Sequence, residues 1–269
     1  MGTSGWSYDH WDGTFYPEDL PRSQWSAYYH SQFPAVEVNA TFYRLPRETT
    51  VRKWLTEARD GFRYVIKGSR YITHIRRLAD CEEPVSRFVE RVAPLHPAML
   101  ALLWQLPPDL SRDDDLLEQF LRLLPSTLGG SRLHHAVEFR HRSWVTDEVH
   151  ELLRRHGVVN VWISSQAMPA DRTQTGDIAY ARFHGLEGGW EHDYTRDELV
   201  AWADALRAVN TDGVAFFNND GMTRAPANAK LLTALLGDHA VAWDPPGESP
   251  TLGSAQERHA AGDAAGHPR

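Results

Sequence analysis

At 269 residues, 42% of them hydrophobic and 24% charged, the chain has the make-up of an ordinary globular protein, long enough for one large domain or two small ones. Its formal net charge of -8 argues against broad nucleic-acid binding, which favours a basic face. No apolar stretch approaches the roughly eighteen residues of a membrane span, and the N-terminus MGTSGWSYDHW lacks the basic-then-apolar layout of a signal peptide, so a cytoplasmic protein with no membrane contact is expected.

Short runs of β type recur along the chain, and amphipathic helical patterns separate most of them. The runs are Met1 to Trp6, Ala35 to Asn39, Phe62 to Lys67, Met99 to Gln105, Ala136 to Arg140, Val158 to Ile163, Ile178 to His184 and Gly213 to Asn218. Their spacing matches βα units around a parallel sheet. Pro84 suits the first turn of a helix whose buried face is Val85, Phe88, Val89 and Val92. Ser111 is the expected cap of another carrying Leu116, Leu117, Phe120 and Leu124. Thr146, with Asp147 and Glu148 after it, starts a helix that Gly157 ends, and Thr195 with Glu198 forms a capping box. Pro226 begins the last helix. Between Ile163 and Ile178 no apolar period is present, so a loop is expected after the sixth strand. Eight strands in this length define an α/β fold, a single (β/α)8 TIM-type barrel over residues 1–244. A doubly wound open sheet is the runner-up, disfavoured because the glycines at 2 and 5 lead into no helix. After Asp244 the sequence turns rich in Pro, Gly, Ala and Ser, and a disordered tail over residues 245–269 is expected.

In such a barrel the site lies at the carboxyl ends of the strands, and period-two alternation says which residues point inward. That places Glu37, Asn39, Lys67, Gln105, Glu138, Arg140, Arg182 and His184 at one mouth, with Asn218 and Asn219 ending the last strand. The segment Phe62 to Leu78 adds Arg70, His74, Arg76 and Arg77 with no acidic residue among them, a cationic stretch on an acidic chain. Two carboxylates among cations are either a structural network or a pocket kept open for an anion. For an enzyme, Glu37 and Glu138 are the candidate acid and base, with His184 as a further proton carrier. Lys67, Arg70, Arg140 and Arg182 would bind the anion, flanked by Asn39, His74, Gln105 and the terminal asparagines. Tyr43, Tyr71 and Trp144 follow strands, where rings stack on a base or sugar, or else pack over the barrel top. The loops after strands seven and eight, the former reading HGLEGGW, are where such barrels often hold a phosphate.

Glu37, Glu138 and His184 are ligand types that suit a divalent ion, but no HxH or HExxH spacing accompanies them and the neighbouring cations repel a metal, so no cofactor is expected. The single cysteine, Cys81, permits no internal disulfide, and Asp80, Glu82 and Glu83 beside it disfavour the thiolate a nucleophile needs. Two functions follow: hydrolysis of an anionic, phosphate-bearing small molecule, or binding without catalysis of a nucleotide or single-stranded nucleic acid. Oligomeric state is left open.

The motifs GTSGWSYDHWDGTFYP (2–17), VEVNATFYRLP (36–46), KGSRYITHIRRL (67–78), LLWQLPP (102–108), VEFRHRSW (137–144), ARFHG (181–185) and FFNND (216–220) together resemble the YecE-like family, a domain of unknown function numbered seventy-two. The likeness runs in order from residue 2 to about residue 244 and implies a single TIM-type barrel; it implies no activity. Members of the family carry residues ahead of the GTSGW motif, where this chain has only Met1, so a short first strand is expected, from truncation or from a start codon lying upstream.

Overall fold

The structure, a computed structural model, describes residues 1–243. The tail expected to be disordered lies outside the described residues. Eight parallel strands form the sheet: β1 (Gly2–Thr3), β2 (Ala35–Val38), β3 (Arg63–Lys67), β4 (Met99–Gln105), β5 (His134–Glu138), β6 (Val159–Ser164), β7 (Ala179–Phe183) and β8 (Gly213–Phe217). The helices are α1 (Trp25–Gln32), the single turn α2 (Ala40–Tyr43), α3 (Glu48–Glu57), α4 (Glu82–Val92), α5 (Asp114–Arg122), α6 (Asp147–Arg155), α7 (Arg196–Ala208) and α8 (Arg224–Leu236).

Each strand pairs with its neighbours in sequence, and β1 pairs with β8, Gly2 opposite Phe216 and Thr3 opposite Phe217. Closure falls between β1 and β2. There Ser4 bridges Glu37, and the Gly5 amide donates to the Glu37 carbonyl at 2.8 Å. Gly5 is required at this turn: φ is +93°, and a Cβ would lie 2.3 Å from the Tyr8 hydroxyl. As expected, β1 is short, two residues long.

Alternation sorts the side chains into two layers. Val36, Val38, Tyr64, Ile66, Leu102 and Trp104 face the helices, whereas Ala35, Val65, Leu103, Ala136, Val161 and Phe216 fill the barrel. α4 buries Val85, Phe88, Val89 and Val92 against the outer layer, and each such side chain taken from water contributes roughly 1.5–3 kcal/mol. The cap of α5 is Asp113, whose carboxylate accepts the Leu116 amide at 3.0 Å, and not Ser111. A carboxylate at that position also meets the positive end of the helix dipole, which a hydroxyl does not match.

After β6 no helix forms, and the chain from 165 to 178 is held by side-chain hydrogen bonds instead of an apolar face. Asp171 takes the Asn160 amide nitrogen at 2.9 Å and the Thr173 backbone amide at 3.1 Å, and pairs with His150 at 2.8 Å. The loop after β3 winds as a π-turn over Tyr71–Ile75 and then places Arg77, Leu78 and Asp80 at positive φ. Among the described residues no helix is long and apolar enough to cross a membrane.

Candidate functional site

Arg182 stands at the centre of the mouth, inward on β7 and enclosed on all sides. Its Nη2 and Nε reach Glu37 Oε1 and Oε2 at 2.5 and 2.8 Å, a bidentate fork, and its Nη1 bonds Glu138 Oε2 from the opposite wall. Glu37 is saturated. Oε1 also accepts the Ser4 hydroxyl at 2.6 Å, and Oε2 accepts the Tyr180 hydroxyl. Burial pushes both carboxyls up, but Arg182 and then Lys67 at Glu37, and Arg140 and then Arg182 at Glu138, outweigh it and hold both below the ordinary carboxylate range. Tyr180, raised by burial and by the Glu37 charge, keeps its proton.

Toward the opening, Arg140 bonds Glu138 Oε1 through Nε and reaches His184 Nε2 through Nη2 at 2.8 Å. Burial pushes His184 down to about 4, so the ring is neutral. Asn218 Nδ2 lies 3.2 Å from His184 Nδ1, and Glu138 Oε1 lies 3.4 Å from His184 Nε2. Gly185, directly after His184, has φ +87°, and a Cβ there would fall 1.6 Å from the Gly189 carbonyl oxygen, so only glycine lets the chain turn beneath the next loop.

Lys67 ends β3. Its carbonyl accepts the Thr41 hydroxyl at 2.6 Å, and its Nζ lies 4.3 Å from the centre of the Phe42 ring. Among the described residues no carboxylate comes within 4.0 Å of it. Burial, with Arg182 and Arg140 as neighbouring cations, lowers the ammonium to about 8 against the opposing pull of Glu37 and Glu138. His74 meets Phe42 edge-on at 4.9 Å, and burial and Lys67 lower it too. Two carboxylates thus face three permanent or near-permanent cations, and the surplus charge resides on Lys67.

Asn39 is half-buried at the end of β2, with Oδ1 buried and unpartnered, and Gln105 is half-buried at the end of β4. Arg70, Tyr71 and Tyr43 are exposed on the loops after β3 and β2. Two further candidates are not brought to the mouth. Trp144 is buried, stacked on Phe139 and donating to the Leu110 carbonyl at 2.7 Å, so its ring packs the barrel top. Asn219 is buried as well, its amide nitrogen bonding the His192 carbonyl and Asn228 Oδ1, both at 2.7 Å, and ties the loop after β7 to α8. The start of α7 is capped by its own box, the Thr195 amide donating to Glu198 Oε2 at 2.8 Å and the Glu198 amide to the Thr195 hydroxyl at 3.3 Å.

Ser4 and Tyr180 were not singled out by the sequence, although both share the inward phase, Tyr180 two residues before Arg182. Asp220 was unassigned. It accepts Trp11 Nε1 at 2.7 Å and pairs with His10 at 3.0 Å, and burial raises it to about 6. No group of three or more His, Cys, Asp and Glu able to hold a metal ion occurs among the described residues.

A parallel (β/α)8 barrel with an ionic network at the carboxyl ends of its strands places the protein among TIM-type barrels with a polar mouth. The family model for the protein of unknown function DUF72 matches residues 1–251, and the chain belongs to that family. UPF0759 protein YunF of Bacillus subtilis strain 168 is 27% identical over 275 residues, spanning 88% of this chain and 94% of its own length. UPF0759 protein YecE of Escherichia coli K12 is 30% identical over 160 residues, 57% of each. The crystal structure of a DUF72 family protein from Thermotoga maritima MSB8, TM1631, matches with a TM-score of 0.77 at 29% identity, over 88% of this chain and 99% of that one. That of EF0366 from Enterococcus faecalis V583 matches with 0.73 at 20% identity, over 87% and 94%, and speaks for the fold alone.

Proposed function

We propose that the protein is a cytoplasmic enzyme whose barrel mouth binds a phosphate-bearing or otherwise anionic small molecule. One observation carries this reading: the mouth holds one more cation than it has carboxylates, and that cation, Lys67, has no carboxylate within 4.0 Å among the described residues. A largely buried charge with no carboxylate beside it is costly, and an anionic ligand removes the cost. Lys67 and Arg140 are the anion contacts, with Arg70 and His74 on the outer wall. Arg182, neutralised on both sides by carboxylates, fixes the frame.

Phosphoester hydrolysis is the reaction to assay first. Glu138, with Oε1 3.4 Å from His184 Nε2, is the better candidate for proton transfer, since each of its oxygens accepts one hydrogen bond, from Arg140 and from Arg182, whereas each oxygen of Glu37 accepts two. A general base contributes about 10²-fold or more, so Glu138→Gln should lower turnover on a phosphoester panel by at least that factor. Calorimetric titration with inorganic phosphate and pyrophosphate should show binding that Lys67→Met abolishes; if neither anion binds the intact protein, the reading is wrong.

A second reading is favoured by a different observation. Tyr43, Tyr71 and Trp190 are 71%, 47% and 63% exposed on three loops of the same barrel end, where rings stack on bases. Binding of single-stranded nucleic acid or a nucleotide without turnover would then fall steeply with salt.

A further inference from the structure

Of the 28 lysines and arginines in the chain, three are lysine: Lys53, Lys67 and Lys230. A guanidinium keeps its proton under all conditions a protein meets, whereas an ammonium can release one and become a nucleophile. The network at the mouth uses arginine at the two positions that face Glu138, and lysine at the one that faces no carboxylate. Lys53 pairs with Glu57 at 3.4 Å on the exposed side of α3, and Lys230 donates to Gln32 Oε1 at 2.9 Å. Lys230 also lies over the Phe15 and Phe33 rings, at 5.8 and 6.0 Å, but the Lys67 amine is nearer its ring, 4.3 Å from the centre of Phe42, and has the Arg182 and Arg140 guanidiniums as neighbouring cations. A desolvated amine beside other cations is the arrangement that turns a lysine into a carbonyl-reactive group.

We propose that Lys67 forms an imine with the carbonyl carbon of an anionic aldehyde or ketone bound at the mouth, Arg140 and Arg70 receiving the anionic group. The assignment rests on the anion reading of the same site, not on hydrolysis. The Nζ lone pair adds to the carbonyl carbon, and the π pair moves to oxygen, which takes one amine hydrogen. The carbinolamine then loses that hydroxyl with the second amine hydrogen as water, leaving C=N with no change of oxidation state. The lowered basicity of Lys67, to about 8, supplies neutral amine near neutral pH. The end of β3 fixes its Cα, because the Lys67 carbonyl is held by Thr41.

The test uses pyridoxal 5′-phosphate, an anionic aldehyde, on the intact protein at pH 8, with borohydride trapping and mass mapping of the lysines. An amine with pKa near 8 is about half neutral there, against under about one per cent for an exposed lysine, so Lys67 should be labelled at least about tenfold faster than Lys53, and faster than Lys230, whose amine burial also makes less basic. Lys67→Arg should abolish the fast adduct, and Lys53→Arg should leave it unaltered. Labelling of Lys53 as fast as Lys67 overturns the proposal. Phosphate binding by calorimetry with no adduct at Lys67 also overturns it, while the anion reading survives. Equal labelling by uncharged pyridoxal, with no protection by inorganic phosphate, establishes the reactive amine and overturns the anionic half of the assignment together with the reading it rests on.

Discussion

At the scale of single residues, Arg182 decides most. It pairs with both Glu37 and Glu138, and all three are fully buried. Removing one partner of such a set strands buried charge, so Arg182→Met should cost about 3–5 kcal/mol in urea unfolding, well beyond an ordinary surface change. The two carboxyls also set an acid limit. Their folded values lie below the unfolded ones, so the stability they contribute is complete above the unfolded value near 4.5 and is lost as pH falls through the folded values. Wild-type Tm should therefore drop below about pH 4.5, and Glu37→Gln should flatten that slope. Lys67 has the opposite sign. Its folded value is lower than its unfolded one, so its buried charge opposes folding up to about pH 8 and is relieved above it. Unfolding free energy should rise from pH 8 to 9.5 by roughly 1–2 kcal/mol relative to Lys67→Met, which would lack that rise. Much of this residue set was legible, because alternation along β2, β5 and β7 fixes which side chains point inward. The pairing was not. Glu37 and Arg182 stand 145 residues apart, and nothing local to either shows that they meet.

At the scale of elements, local chemistry was readable where a helix closes on itself and unreadable where a distant contact decides. Thr195 and Glu198 form the expected box, so Thr195→Ala should lower stability by about 1 kcal/mol with no change in anion binding. Asp113 replaced Ser111 as the cap of α5 because two residues of extra extended chain intervene, with Leu110 turned inward beneath Trp144. The loop after β3 could be read as basic, not as strained. Leu78 holds φ +70° and is 2% exposed, so its buried side chain keeps the backbone in a left-handed turn that a bulky residue avoids. Arg77 ties the same turn to Asp109, with both contacts at 2.9 Å. That clasp holds the π-turn carrying Tyr71 and His74 against Phe42. Arg77→Ala should loosen the His74 wall, seen as faster amide exchange over residues 71–78.

At the scale of the whole molecule, a chain of formal net charge -8 gathers Lys67, Arg140 and Arg182 around two buried carboxylates at one mouth of its barrel. The barrel's closing seam runs through the same end: Ser4 and Gly5 dock on Glu37, whose carboxylate holds Arg182. Gly5→Ala, at φ +93° and against Tyr8, should cost at least about 1 kcal/mol and weaken the seam and the site together. The seam joins residues 2 and 3 to residues 216 and 217, a contact available only once nearly the whole chain has emerged. During synthesis the amino-terminal strand must therefore wait, with Glu37 still hydrated and Arg182 not yet made. Contacts this far apart in sequence slow folding, and the seam and the ionic network share Glu37, so the order that closes the barrel and the order that builds the mouth meet at one residue.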